Sequence, residues 1–254
     1  LTGNTYKAAF TESSPVSTFN SGNQILLNAS GSLQIDNRIL TYMDNQWKAE
    51  NEFSWSDLTG KTNVTAVYPV YPDLDYVQEN LYKNNSLEDI LYVKDEFPAG
   101  NSIHLQFKHL FSLLTLHLEG NLQTYFQKIE VTCPAVSSII PKSAEIVLAD
   151  NGTHTTTIAQ VSPSGNYSFI VPPVKNMVIA INMVTNGKKY TTQLETKSFT
   201  GNKEYTYHLK TSEKTPGIIT AEDWIAFSQL INSNTFTQYK GKTLDDFGET
   251  MNGI

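Results

Sequence analysis

Histidines are the side chains of this chain best suited to metal chemistry, and three of them occur in one strand-like run. They are His104, His109 and His117. The spacing places His104 and His109 on opposite faces of a regular strand, whereas a metal site needs ligands that converge, and no third ligand is evident. We therefore expect no metal and no cofactor. For His109 we expect a structural role, such as a hydrogen bond to neighbouring backbone.

Carboxylates are the second candidates for chemistry, because paired acids can hydrolyse glycosides or bind calcium. They form two groups, which are Asp73, Asp75 and Glu79, and Asp245, Asp246 and Glu249. Neither group has the spacing of a calcium loop, so solvated loops are the favoured interpretation. The chain also has no Gly-x-Ser-x-Gly motif and no glycine-rich phosphate loop. We predict that the protein is not an enzyme; a glycan-active enzyme would need two carboxylates facing each other across a cleft.

Aromatic residues are the remaining candidates for binding, because exposed rings stack on sugars and anchor protein interfaces. Tyr68, Tyr71, Tyr76 and Tyr82 cluster in the sequence, with Trp47 not far before them. Trp47 and Tyr68 are expected in the core. Tyr71 and Tyr76 are expected to be exposed, as possible contacts for a glycan or a protein partner.

Composition bounds the function further. The chain has 254 residues, a net charge of −7 and a single arginine, Arg38, which argues against nucleic acid as a partner. Its one cysteine, Cys133, excludes an internal disulfide and alternates in phase with Ile129 and Val131, which predicts a buried thiol. No apolar run reaches the roughly 18–20 residues of a membrane span. The start at Leu1 and the end at Ile254 suggest a processed fragment of a longer protein.

The central run, residues 103–118, organises the chain. Its first part alternates on odd numbers, with Ile103 and Leu105 apolar, and its last part on even numbers, with Leu114 and Leu116 apolar. Alternation with a period of two indicates a strand with one buried face. A change of phase means that the buried face switches. We expect this run to close one β-domain and to lead into a second.

Short alternating segments separated by turns fill most of the rest and predict an all-β fold of two tandem β-sandwiches. Asp44-Asn45 and Asn186-Gly187 predict tight hairpins, and residues 150–152 predict another turn. Residues 86–91 resemble a helix start of one or two turns. After a linker, a capping box at Thr220 predicts a helix. The predicted domains are 1–120, 121–211, and 212–254 as linker plus helix leading into a further module.

Several motifs, in order, resemble those of one family. They are residues 19–25, a strand; residues 40–42 with Trp47, a hairpin; residues 66–69, a strand end; residues 89–92; residues 107–114, containing Phe107-x-His109; and residues 171–173, 189–190 and 199–207. Together they resemble the fimbrillin-like proteins of Bacteroides and relatives, which are subunits or tip proteins of cell-surface fimbriae. The resemblance covers about residues 5–211.

The resemblance implies two transthyretin-like sandwiches, export to the outer membrane as a lipoprotein, and assembly with other fimbrial subunits by strand exchange. In such proteins an N-terminal strand is cut off after an arginine, and a partner's strand fills the groove. By position, the strand to be displaced is 5–11, with Tyr6, Ala8 and Phe10 on one side. Physically, a sandwich that lacks one strand exposes unpaired backbone and an apolar groove.

The chain departs from this pattern at its arginine. Arg38 lies beyond the next predicted strand, so cleavage there would remove more than the first strand. Cleavage at a lysine, or no cleavage, is the alternative. We predict an adhesion or assembly protein of the cell surface, held to the membrane only through a lipid anchor outside this sequence. The alternative is a carbohydrate-binding module that uses exposed aromatic residues.

Overall fold

Strands dominate the structure, as the alternation predicts, and a helix follows them, so the predicted all-β class is confirmed. The computed structural model describes residues 2–3, 18–51, 60–98, 103–119, 128–159, 166–175, 178–185, 188–195, 198–210 and 221–232. The strands are β1 (Thr2–Gly3), β2 (Gln24–Gly31), β3 (Ile35–Met43), β4 (Gln46–Ala49), β5 (Thr62–Tyr68), β6 (Tyr82–Lys83), β7 (Ser86–Leu87), β8 (Leu91–Phe97), β9 (His104–Leu105), β10 (Lys108–His109), β11 (Ser112–Glu119), β12 (Lys128–Ile140), β13 (Glu145–Ala159), β14 (Asn166–Val171), β15 (Val178–Thr185), β16 (Lys188–Glu195) and β17 (Glu204–Lys210). The helices are α1 (Gln78–Leu81) and α2 (Ala221–Asn232).

The first large sheet has six strands in the order β10-β8-β5-β2-β3-β4. Its inner strand β2 buries Ile25, Leu26 and Leu27 completely. Because successive side chains of a strand point to opposite faces, this sheet must be covered on both faces. On one face Ile25 and Leu27 pack in a cluster with Leu105 and Phe107. On the other face Leu26 packs in a second cluster that contains residues from later strands.

The later strands form a three-stranded sheet, β14-β11-β17, and a four-stranded sheet, β13-β12-β15-β16. One cluster joins them, with Leu114 and Leu116 from β11 and Ile129 and Val131 from β12. The change of phase in the central run is therefore confirmed. Odd residues before it belong to the core of the first sheet, and even residues after it belong to the core of the later sheets.

Residues 1–209 form one compact unit, and residues 210–254 form a second. Within the first unit, β11 pairs with β14 and so belongs to a later sheet. The predicted domain boundary at residue 120 would assign this strand to the first domain. The division of this unit into two sandwich domains stays a prediction. Within the second unit, α2 buries Ala226 and Leu230 and leaves Trp224 exposed. No helix in the described part of the chain has the length and apolar character needed to cross a membrane.

Two of the predicted hairpins are confirmed. Asp44 and Asn45 both adopt the left-handed backbone of a tight turn and join β3 to β4. In the second hairpin, β15 pairs with β16, and the last pair is Thr185 with Lys188. These two residues flank the predicted Asn186-Gly187 turn. The turn residues of that hairpin lie outside the described residues.

The turn predicted at residues 150–152 is present as a bulge within one strand, because β13 continues on both sides of it. In the pairing of β12 with β13, Pro134 faces Thr153, and the next pair is Val136 with Leu148. Residues 149–152 of β13 therefore bulge out of the ladder, and the two strands remain paired on both sides of the bulge. Asn151, with φ of 54°, supplies the left-handed residue there.

The short helix predicted at residues 86–91 is wrong. Ser86 and Leu87 form β7, which pairs with β6 across a tight turn. The turn residues Asn84 and Asn85 have φ of 48° and 64°, a conformation that asparagine tolerates better than most residues. This asparagine pair is the signal in the sequence that would have predicted a hairpin here.

Candidate functional site

The N-terminal strand is the first candidate site. In β1, Thr2 pairs with His104 and Gly3 with Leu105 in parallel register, and this two-stranded sheet is separate from the six-stranded one. Leu105 is fully buried in the first core, between Ile103 and Phe107 of the same segment. β1 therefore lies along the backbone of the segment that closes one face of the six-stranded sheet.

Aromatic residues fill the core beneath this segment. The ring of Phe19 lies 4.9 Å from Trp47, 5.0 Å from Phe107 and 5.3 Å from Tyr68, all edge to face. Such pairs contribute beyond their buried area. Trp47 is 4% exposed, as expected for a core residue, and its indole N–H has no acceptor among the described residues.

The residues predicted for strand exchange, Tyr6, Ala8 and Phe10, lie outside the described residues, as does the whole of 5–11. Their role stays a prediction. Arg38 is described and lies within β3, where Leu27 is its partner on β2. The place expected for arginine-directed maturation is thus the interior of a sheet.

The expectation that Tyr71 and Tyr76 are exposed is wrong, because they are 5% and 3% exposed. A turn at Pro72–Leu74 folds the segment back, so that the two rings contact each other edge to face at 5.0 Å. The hydroxyl of Tyr71 donates to Oε2 of Glu88 at 2.5 Å. The hydroxyl of Tyr76 donates to the carbonyl of Pro69 at 2.8 Å. Both residues therefore serve the interior of the fold.

The environment of the two phenols agrees with this assignment. Burial, followed by the hydrogen bond to Glu88, raises the pKa of Tyr71 above its ordinary value of 10.0. Burial raises the pKa of Tyr76 in the same way. The Lys83 ammonium lies 2.6 Å from Oε1 of Glu88, which balances the charge of that carboxylate. A glycan cannot stack on rings that are packed in this manner.

His109 has a structural role, as predicted, although its ring contacts a carboxylate and not a carbonyl. Its Nδ1 lies 2.9 Å from Oδ2 of Asp89, whose side chain is 6% exposed. Its backbone N–H donates to Oδ1 of Asn202 at 3.1 Å. The backbone N–H of Asn202 in turn donates to the carbonyl of Phe111 at 2.9 Å. These bonds tie β10 to the turn before β17, where the first sheet meets the later ones.

The other candidates behave in simpler ways. Within the described residues no group of three or more histidine, cysteine or acidic side chains could hold a metal ion. Asp73, Asp75 and Glu79 are exposed, as predicted, although Glu79 lies in α1 and not in a loop. The second acidic group, near the end of the chain, lies outside the described residues. Cys133 is buried, and burial raises the pKa of its thiol to about 12.

One pair of residues escaped the sequence reasoning. The rings of His117 and His208 are neighbours, with centroids 4.9 Å apart. The two residues are far apart in the sequence, on β11 and β17, so only the pairing of these strands brings them together. Their positions on the polar phase of two alternating strands were the available signal.

These observations define a β protein of several sheets with two candidate sites. One is β1 with its partner β9, and the other is the junction where β10 meets the turn before β17. The family model described as fimbrillin-like matches residues 5–224, so the chain belongs to the fimbrillin-like family. A search of curated proteins returned no match.

Solved structures share the fold. A protein of Bacteroides uniformis proposed to act in cell adhesion has a TM-score of 0.57 and 13% identity, over 84% of this chain and 93% of that one. A protein of Bacteroides ovatus with the same proposed role has a TM-score of 0.54 and 14% identity, over 76% of this chain and 83% of that one. At such identities the likeness concerns the fold.

Proposed function

We propose that this chain is a non-enzymatic fimbrial protein of the cell surface that assembles with other subunits by β-strand exchange. The observation that carries the proposal is β1, an N-terminal strand in parallel pairing with β9 above the core of the first sheet. Membership of the fimbrillin-like family supports the cellular setting. Anchoring through a lipid outside this sequence is part of the same proposal.

The physical basis is the edge that β1 covers. Without β1, the backbone of His104 and Leu105 would lose its strand partner. Unpaired backbone beside an apolar core is a template for a strand from another molecule. The buried indole N–H of Trp47 offers a further donor for a carbonyl of an incoming strand. In this proposal Tyr6, Ala8 and Phe10 supply the apolar side of the strand that is exchanged.

Maturation by cleavage after Arg38 does not fit this scheme. It would remove β2, whose Ile25, Leu26 and Leu27 are completely buried in the six-stranded sheet. We therefore propose release of the strand without cleavage at Arg38, either by a cut at a lysine or by displacement of an intact N-terminus.

The test locks β1 in place within the full chain. Thr2→Cys and His104→Cys put cysteines at paired positions, where neighbouring strands have a Cα separation that a disulfide can span. The oxidised and reduced forms are mixed with a fluorescent peptide of residues 1–17, and binding is followed by anisotropy. We expect the reduced form to bind the peptide and the oxidised form to exclude it.

Peptide variants provide the matched control. Aspartate at Tyr6 and Phe10 should abolish binding, whereas aspartate at Lys7, on the opposite phase of the alternation, should not. Equal binding of the peptide by the oxidised and reduced forms would argue against strand exchange. So would a peptide that binds neither form and also fails to bind a chain lacking residues 1–17.

A further inference from the structure

We propose that His117 and His208 bind one divalent transition-metal ion, of the Zn²⁺, Ni²⁺ or Cu²⁺ kind, on the outer face of the three-stranded sheet. The two residues lie on the neighbouring strands β11 and β17. Their ring centroids are 4.9 Å apart, and the ring planes are inclined by 62°. Imidazole is a preferred ligand of these metals.

The separation of the rings fits a shared ion. A zinc–nitrogen bond is about 2.0–2.1 Å, and a ring centre lies roughly 1 Å beyond its nitrogen, so two imidazoles on one tetrahedral ion have centroids about 5 Å apart. The observed distance of 4.9 Å between His117 and His208 matches this spacing before any ion is added.

A hydrogen bond prepares His117 for this role. Its Nδ1 is bonded to Oδ1 of Asn166, on the other neighbour of β11. With Oδ1 of Asn166 as the acceptor, Nδ1 is the donor, so this contact favours the tautomer whose lone pair is on Nε2, the atom that a metal needs. Metal-binding histidines commonly donate their second ring N–H to an oxygen in this way.

The strands hold the two rings in place. Next to the histidines, Thr115 donates to Oε1 of Glu204 at 2.8 Å, which joins β11 to β17 on the same face. Thr115 also lies 3.1 Å from the hydroxyl of Ser168 on β14. His117 is half-buried and His208 is exposed, so that an ion can reach both from solvent.

The site has two protein ligands, since no group of three histidine, cysteine or acidic side chains occurs in the described parts of the chain. We expect water to take the other coordination positions. Such a site binds more weakly than a closed structural one, and its nitrogen ligands favour zinc, nickel or copper over calcium or magnesium.

The test is a calorimetric titration of the full chain, without an affinity tag, with ZnCl₂ at near-neutral pH, where imidazole is available to metals. We expect saturable binding of one ion and no binding of CaCl₂. His117→Gln and His208→Gln should each weaken zinc binding about tenfold or more, since each removes one of the two nitrogen ligands. Asn166→Leu, which keeps both ligands, should weaken it about tenfold through the tautomer of His117.

The matched control is His104→Gln, which removes an exposed histidine on β9 and should leave zinc affinity unchanged. Circular dichroism checks that every variant is folded. The proposal is overturned if the unsubstituted chain shows no saturable zinc binding, if His117→Gln and His208→Gln bind as it does, or if His104→Gln loses as much affinity as they do.

Discussion

Gly201 lies at the junction between the sheets and has no room for a side chain. A Cβ atom at this position would lie 2.4 Å from the carbonyl oxygen of Leu110 and 3.4 Å from that of His109. Both are backbone atoms, which cannot move away as the end of a flexible side chain could. The absence of a side chain at Gly201 therefore allows the turn before β17 to approach β10 and β11.

We expect Gly201→Ala to lower the free energy of unfolding by about 1–3 kcal/mol, the usual effect of forcing an atom into a packed site. Urea denaturation measures it. Gly60→Ala is the matched control, because the described atom nearest to a Cβ added there, the Cβ of Ser32, is 3.9 Å away, so the free energy of unfolding should change little. Equal stability of the two variants would mean that the junction adapts more easily than the contacts indicate.

Cys133 gives a prediction for alkaline pH. Burial raises the pKa of its thiol from 9.0 to about 12, so the folded chain keeps this proton while the unfolded chain loses it above about pH 9. Because the pKa is raised in the folded chain, the contribution of the protonated thiol to the free energy of unfolding is complete below about pH 9 and is lost as pH rises toward 12.

The measurement compares the free energy of unfolding of the unsubstituted chain and Cys133→Ala between pH 8 and about pH 11. The unsubstituted chain should lose stability more steeply. Burial raises the pKa of Tyr76 in both chains alike. The charge of the Cys133 thiolate also raises the pKa of Tyr82, so the difference in slope reports the thiol together with its coupling to Tyr82. Parallel slopes would contradict the assignment. In addition, a thiol reagent should modify Cys133 only after unfolding.

At the scale of elements, alternation in the sequence was a good guide to strands but not to what covers them. Both buried faces of the run 103–118 could be predicted from the sequence, because Leu, Ile and Phe occupy the alternate positions on each side of the change of phase. The burial of Tyr71 and Tyr76 was not predictable in this way. It depends on acceptors at Glu88 and Pro69 and on packing against strands that come later in the chain.

The placement of Arg38 inside β3 leads to a prediction about proteolysis. A protease needs an extended, accessible segment, whereas β3 is paired with β2 on one side and β4 on the other. Cleavage therefore requires local unfolding of the sheet. We expect an arginine-specific protease to leave the folded chain intact.

The single arginine makes this experiment simple, because a cut gives two fragments that mass spectrometry identifies. The same digestion in urea is the control and should release the fragment that starts at Ile39. If the folded chain is cut after Arg38 as fast as the unfolded chain, maturation at this position becomes possible and our account of the strand that is released is wrong.

At the scale of the whole first unit, one cluster of side chains connects the six-stranded sheet to the later strands. It contains Leu26 of β2 and Val136 of β12, both completely buried. Hydrogen bonds accompany it: the backbone N–H of Ile139 donates to the carbonyl of Tyr76 at 2.9 Å. An ion pair of 2.7 Å between Lys142 and Asp36 lies at the surface and adds little.

We predict that this shared cluster makes residues 1–209 one cooperative unit. Native-state hydrogen exchange should then give the same free energy of opening for β2, in the first sheet, and β15, in the later ones. Val136→Ala should lower both values together, by about 2 kcal/mol, because it leaves a cavity between the two groups of strands.

Val178→Ala is the control, since this side chain is 54% exposed and its removal should leave both values unchanged. If Val136→Ala lowers the protection of β15 and spares β2, the two groups of strands open independently. Cooperative opening would mean that the six-stranded sheet and the later strands resist separation together, because Leu26 and Val136 cannot separate without exposing a common core. Such a response would suit the assembly by strand exchange that we propose.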